Sequence, residues 1–152
     1  MSGTAGNVDM NLQVRREFYS TDGKTPMDPK QFVQGDLYQV HINISSKLHS
    51  KNLAVVDLLP GGLEIESPNL KGSTQSKEEY WGTLLPEHVE RRDDRLLIFA
   101  SILPGQGSYR YLVRAVTPGE WILPAVDASC MYDPDIQSTH GAGQIRVLHR
   151  AK

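Results

Sequence analysis

The sequence lacks the features on which several classes of protein depend. It has one cysteine, Cys130, which rules out an internal disulfide framework and a multi-cysteine metal site. Its 16 basic residues are balanced by 18 acidic ones, so nucleic acid, which needs a basic surface, is a poor candidate partner. No apolar run approaches the roughly 18 residues of a membrane-spanning helix. We therefore expect no cofactor, no nucleic-acid partner and no direct insertion into a membrane.

Motifs for catalysis and metal binding are also missing. The chain contains no Gly-x-Ser-x-Gly nucleophile elbow, and its five histidines include no pair spaced for zinc on a helix. Glu64 and Glu66 share one face of a predicted strand, but two solvated acids are a simpler interpretation than a general acid and base. Cys130 is interpreted as a small buried side chain rather than a nucleophile. We predict that the chain is not an enzyme and has no metal site.

What the sequence does contain is a series of short strand-like segments separated by turns. In the clearest segment, Val40, Ile42 and Ile44 alternate with polar residues at the period of two that a half-buried strand requires. Similar segments occur at residues 12–19, 53–59, 95–103, 108–116, 120–126 and 144–148. Because no helix–strand unit repeats, the pattern predicts an all-β, antiparallel two-sheet sandwich of about seven or eight strands.

Two segments fall outside this pattern. Residues 1–10 have neither the basic nor the apolar region of a signal peptide, so we predict a cloning remnant or disordered linker there, and a single domain over residues 11–150. Residues 67–94 are polar and are predicted to form a long loop with one short helix, capped by Ser76 and Glu79. The aromatic residues Tyr80 and Trp81 of this loop form a possible contact surface.

Four segments, taken in order, resemble one known family. They are Leu53–Glu64, Arg92–Arg95, Tyr109–Gly119 and Met131–Pro134. Their order and spacing are similar to those of the C-terminal domain of bacterial alpha-2-macroglobulins, and the resemblance runs from about Leu12 to Leu148. It implies a macroglobulin-like β-sandwich, related in form to fibronectin III domains, in agreement with the fold predicted from periodicity.

The resemblance also implies a function. Proteins of this family are multidomain lipoproteins of the periplasm, tethered to the inner membrane, that trap a protease after it cuts a bait segment. Many contain a reactive Cys–Gln thioester, but this chain has no Cys-x-Glu-Gln motif, so Cys130 is not the thioester cysteine. By position, Met131 and Tyr132 correspond to a Met-Tyr pair that packs over the thioester and excludes water.

The sequence therefore predicts a non-catalytic structural and interaction domain of a protease trap that acts in bacterial defence as a broad protease inhibitor. Its expected partners are the other domains of the parent chain and, through the full-length protein, target proteases. The alternative is an independent Ig-like adhesion or carbohydrate-binding module that uses Tyr80 and Trp81 as a stacking platform. A small hydrolase is the least supported interpretation.

Overall fold

A computed structural model describes residues 8–21, 24–66, 79–92 and 94–150. Over these ranges the chain forms β-strands and no helix, and therefore no helix able to cross a membrane. The strands are β1 (Val8–Met10), β2 (Leu12–Ser20), β3 (Phe32–Val33), β4 (Leu37–Ser46), β5 (Ser50–Leu58), β6 (Leu63–Ile65), β7 (Glu79–Arg92), β8 (Arg95–Ala115), β9 (Gly119–Leu123), β10 (Val126–Cys130), β11 (Asp133–His140) and β12 (Gly143–Leu148).

The strands form two hydrogen-bonded sheets. The larger has the order β1-β11-β10-β5-β8-β4-β2, with β6 and β7 also paired to β8, and the smaller has the order β3-β12-β9. All pairs are antiparallel except β3 with β12. The predicted all-β antiparallel sandwich is confirmed. There are more strands than expected because segments as short as β1 and β3 show no periodicity in the sequence.

The longest strand, β8, runs through both layers of the sandwich. Residues 95–102 pair with β5 and residues 105–114 pair with β4. Gly105 lies at the junction with a φ of 121°, a conformation that is strained for any residue with a side chain. Beyond this junction, β8 is followed in the sheet by β4 and then β2. β2 lies against β11 at the other end of the same sheet, where the amide of Val14 donates to Oγ of Ser138 at 2.9 Å. The large sheet thus folds over on itself to enclose the core.

The core consists of the alternating apolar residues seen in the sequence, from both halves of the folded sheet. Aromatic rings join the small sheet to it. Phe32 of β3 lies edge-to-face against Phe18 of β2 and Tyr38, with ring centroids 5.1 and 4.8 Å apart. Such contacts between the positive edge and negative face of rings add to the stability gained by removing apolar area from water.

The region predicted to be a long loop with a short helix differs in the structure. Residues 79–92 form β7, antiparallel to residues 95–110 of β8, so the predicted loop and helix are wrong over this range. Ser76 of the predicted capping box lies outside the described residues. Register shifts between residues 82 and 84 and between 86 and 88 interrupt the period-two pattern, which is why it was not visible in the sequence.

The predicted boundary at residue 10 also differs. Val8–Met10, assigned to a remnant or linker, form β1 and pair with β11. Asp9 secures this strand, because it accepts hydrogen bonds from Arg15 at 2.9 and 3.1 Å and from the Ser138 hydroxyl at 2.6 Å. The Arg15 guanidinium and then the Ser138 hydroxyl lower the pKa of Asp9 to about 2. The described β-structure of the domain therefore begins before residue 11.

The turn at Pro60-Gly61-Gly62 is explained by a close approach of Trp121. A Cβ atom at Gly62 would lie 2.5 Å from Cδ1 and Nε1 of the indole, and one at Gly61 would lie 2.8 Å from Cε3. The indole is itself held in place, since its Nε1 donates to the carbonyl of Thr117 at 3.0 Å. The two glycines are thus required for ring-on-backbone packing.

A buried ion pair links the layers of the sandwich. The guanidinium of Arg16 on β2 contacts the carboxylate of Asp57 on β5, and the two side chains are 1% and 0% exposed. The Tyr111 hydroxyl of β8 donates to the other carboxylate oxygen. Nη2 of Arg16 also donates to the carbonyls of Pro124 and Gly141, at 2.7 and 3.2 Å. Three strands and two connections therefore meet at one charge pair.

Removing one member of this pair should destabilise the domain strongly. We expect Arg16→Met to lower the free energy of unfolding by about 3–5 kcal/mol, because the carboxylate of Asp57 stays buried without its cation. The double variant Arg16→Met, Asp57→Asn should lose less than Arg16→Met alone, since no charge is then left buried. Urea denaturation of the wild type, both single variants and the double variant measures this coupling. Losses that simply add would contradict it.

His41 of β4 is held neutral by its surroundings. It is 5% exposed, its ring stacks on Tyr19 with centroids 4.0 Å apart, and its Nε2 lies 2.9 Å from Oε1 of Gln39. Burial, and next the positive charge of Arg110, lower the pKa of His41 from 6.5 to about 4. Protonation is therefore disfavoured in the folded domain.

This shift makes stability depend on pH in a defined direction. Between about pH 6.5 and 4 the unfolded chain binds a proton at His41 that the folded chain does not, so the free energy of unfolding falls as the pH falls. His41→Gln removes this contribution and should flatten the decline over that window. Denaturation at a series of pH values for both proteins gives the difference. Parallel curves would show that His41 does not cause the decline.

Candidate interdomain contact site

The turn between β10 and β11 carries two exposed large side chains. Cys130 pairs with Asp133 across this hairpin, so Met131 and Tyr132 form its two-residue tip. Met131 is 50% exposed and Tyr132 is 79% exposed. The two residues that the sequence analysis singled out therefore stand side by side on the surface, where another protein surface can reach them.

The tip is anchored on one side by β5. The amide of Met131 donates to the carbonyl of Asn52 at 3.0 Å, and Sγ of Cys130 donates to the carbonyl of Lys51 at 3.4 Å. Asn52 has a φ of 61° and lies where the register of β5 shifts against β8, between Ser50 and Leu53. A bulge of this kind re-aims the backbone locally. Here it supplies the two carbonyl groups that fix the tip.

The other side of the tip is anchored by side-chain amides and a local turn. The Asp133 carboxylate accepts from the amide of Asp135 at 3.0 Å, and the Asp135 carbonyl accepts from Nδ2 of Asn11 at 3.0 Å. Nε2 of Gln137 donates to the carbonyl of Pro134 at 3.2 Å. With both sides of the hairpin backbone bonded, less backbone entropy is lost when the tip binds a partner.

The chemistry of the tip is suited to contact rather than to bond breaking. Met131 offers a polarizable thioether, and Tyr132 a flat ring with one hydroxyl. Cys130 is half-buried against the core, and not fully buried as predicted, and its thiol is hydrogen-bonded to a carbonyl. Elsewhere in the described ranges, no group of three or more His, Cys, Asp or Glu side chains is placed to hold a metal ion. What the tip provides is apolar area and a single polar group.

The second predicted contact pair, Tyr80 and Trp81, lies on β7 and not on a loop. Their backbones pair with Tyr109 and Ser108 of β8, beyond the bend at Gly105. The tip, by contrast, follows a strand that pairs with β5 on the near side of that bend. The structure therefore does not bring the two predicted pairs together. A contact role for Tyr80 and Trp81 stays a prediction.

The fold agrees with what known proteins show. The family model "Bacterial Alpha-2-macroglobulin MG10 domain" matches residues 12–135. This chain belongs to that family. It is 36% identical to an alpha-2-macroglobulin of Xylella fastidiosa, over 86% of this chain and 8% of that protein, and 34% identical to the alpha-2-macroglobulin of Escherichia coli K12, over 95% and 9%.

Solved structures of alpha-2-macroglobulins have the same fold. The native conformation of the Escherichia coli protein superposes with a TM-score of 0.83 at 28% identity, over 95% of this chain and 10% of that one. A fragment of the Escherichia coli protein from domain MG7 to the C-terminus superposes with a TM-score of 0.82 at 30% identity, over 96% and 25%. The resemblance noted in the sequence is confirmed, and the chain spans less than a tenth of the length of these curated relatives.

The residues that position the tip of this macroglobulin domain were missed in the sequence. Lys51 and Asn52 interrupt no motif, and Asn11 precedes the first segment with clear alternation. One signal was available, because Asn is enriched at positive φ, and both Asn11 and Asn52 have this conformation, at 60° and 61°. Nothing local, however, indicates that these two asparagines flank the same hairpin.

The left-handed conformation of Asn52 gives a direct test of the anchor. Asn52→Ala should lower the free energy of unfolding by about 1 kcal/mol, because a β-carbon without a polar group is disfavoured at this φ. Asn52→Gly adopts the conformation without strain and should cost less than Asn52→Ala. Chemical denaturation of the two variants measures the difference. A glycine variant less stable than the alanine variant would contradict the role of the backbone conformation.

Proposed function

We propose that this macroglobulin domain is a non-catalytic docking module of a protease trap. In the parent chain, Met131 and Tyr132 would pack against the thioester-containing domain, or its equivalent, and keep water away from it. One observation carries the proposal: two large side chains stand exposed on a hairpin tip whose backbone is bonded on both sides. A solvent-facing Met-Tyr pair stabilises little in an isolated domain, but it suits a partner surface.

The physical basis of shielding is desolvation. Burying the exposed part of one such side chain against a partner contributes at most about 3 kcal/mol. The ring of Tyr132 is wide enough to cover a small reactive group, and its hydroxyl keeps a donor for a carbonyl of the partner. Because the backbone beside the tip is already hydrogen-bonded, ordering the backbone offsets less of this energy.

The same proposal assigns a location and partners. The parent protein would lie in the periplasm, anchored to the inner membrane as a lipoprotein, and the bait and trapping machinery would belong to its other domains. Support comes from the family membership and from the small share of the relatives' length that this chain spans. Target proteases are then partners of the full-length protein, and the direct partner of this domain is a neighbouring domain.

A second candidate function, a binding module for a glycan or similar polar ligand, is favoured by one feature. An open groove of about 460 Å³ lies on the outer side of β2, β4 and β8. Its amide and hydroxyl groups come from Gln13, Asn43, Ser45, Gln106 and Ser108. The groove lies next to the backbone of Trp81, which pairs with Ser108. A ligand bound there would leave the Met131–Tyr132 tip free.

The docking function is tested by titrating this chain, isotopically labelled, with the remaining domains of its parent protein. We expect backbone amide shifts at residues 131–132 and at their anchors 51–52. Tyr132→Ala should weaken the binding at least several-fold, because it removes the largest exposed ring. Ile122→Ala, at a residue that is 68% exposed on β9, is the matched control and should bind like the wild type.

Two results would contradict the docking function. One is the absence of shifts at residues 131–132 at saturating partner. The other is a set of shifts confined to the groove and to β7, or shifts that appear only when glycans are added, which would favour the second candidate function.

A further inference from the structure

The exposed apolar side chains are unevenly distributed over the surface. Nine large hydrophobic residues are exposed in the described ranges, and six of them lie at one end of one layer. The six, here called the apolar end, are Met10, Leu48, Leu85, Leu103, Met131 and Tyr132. Only the last two are part of the proposed function above.

Strand register places the six residues along one edge. Across this layer the strands lie in the order β7, β8, β5, β10, β11 and β1. Leu85 of β7 is opposite Ser101, two residues before Leu103 on β8. Leu48 lies two residues before Ser50. Ser50 is the first residue of β5, and it pairs with Ile102 of β8.

The remaining strands continue the same edge. Cys130 ends β10 opposite Leu53, three residues from the start of β5, so Met131 and Tyr132 follow at this end. Met10 ends β1, and the next residue, Asn11, accepts at its carbonyl from the amide of Lys47 at 3.4 Å. An exposed apolar side chain therefore occurs at this end on every strand of the layer or on the turn that joins it to the next.

Such a row needs a physical explanation. Single exposed hydrophobic residues are normal on a soluble domain, but a concentration of them with polar groups around it is typical of a surface that contacts another protein. The charged residues close to these positions in the sequence have both signs, with Lys47 and Lys51 near Leu48 and with Asp133 and Asp135 after the tip. The arrangement matches the apolar centre and polar rim of a protein interface.

We propose that the apolar end is one docking surface, covered by a neighbouring domain of the same polypeptide. This inference rests on the proposed function, since it extends the contact of Met131 and Tyr132 to Met10, Leu48, Leu85 and Leu103. We infer the occupant from how much of the relatives' length lies outside this chain. The chain spans 8–9% of its curated relatives and 25% of the fragment from MG7 to the C-terminus.

A neighbouring domain fits this surface better than a second copy does. Contacts between domains of one chain benefit from a high effective concentration, so a modest apolar surface suffices. A specific complex of separate molecules buries roughly 1,200–2,000 Å² in total. The partner surface is therefore an apolar patch on the same polypeptide, flanked by polar groups.

The test is carbene footprinting of the full-length parent protein, with mass-spectrometric reading of each labelled side chain. We expect Leu48 and Leu103 to be labelled several-fold less than Ile122, although the three are 46%, 41% and 68% exposed in this domain. Leu48→Asp should restore labelling of Leu103 and of the tip, because a buried carboxylate would separate the two domains. Ile122→Asp is the matched control and should leave the labelling unchanged.

The outcomes separate this inference from the proposed function. Protection of Met131 and Tyr132 without protection of Leu48 and Leu103 would overturn the inference and leave the proposed function standing. Protection of Leu48 and Leu103 without protection of the tip would overturn both the single docking surface and the shielding role. Protection that depends on protein concentration and accompanies dimerisation in sedimentation would overturn the assignment to a neighbouring domain.

Discussion

The buried ion pair between Arg16 and Asp57 joins the layers at a point where an unpaired charge would be costly. Arg16 is fixed by its position on β2, Asp57 by β5 and Tyr111 by β8, so the network forms only when all three strands are in register. Two charges removed from water stabilise a fold little in themselves, but each strongly disfavours any arrangement that leaves the other without a partner. The pair thus restricts the sandwich to one alignment of its halves.

That alignment determines where the tip stands. Because β8 bends at Gly105, its first half carries β5, and β5 in turn carries β10 and the hairpin tip. The bulge in β5 directs the carbonyls of Lys51 and Asn52 to the hairpin, and the Asn11 amide holds its other side. The exposed pair is therefore supported by the rigid centre of the domain, as a positioning surface must be.

The two outer surfaces of the domain have different characters. The outer side of β2, β4 and β8 is a polar groove, whereas the end that carries the tip is lined with exposed apolar residues. In the proposed function, the apolar end is the surface that another domain of a much longer parent chain would cover, while the polar groove stays open. In that proposal, the domain would serve the whole protein through the surface that it covers.

The sequence by itself determined the fold class and singled out the Met131–Tyr132 pair. Period-two alternation at Val40, Ile42 and Ile44 is a local property of a half-buried strand, and turns at Pro60 and Pro118 are local as well. The Met131–Tyr132 pair was identifiable because the segments around it resemble a family.

Tertiary structure alone decided the rest. Pairing turned residues 79–92 into β7, despite bulges that hide their alternation, and ordered Val8–Met10 against a strand more than a hundred residues away. The partner of Arg16 and the row of apolar side chains at one end were likewise set by register between distant strands, which no local pattern encodes.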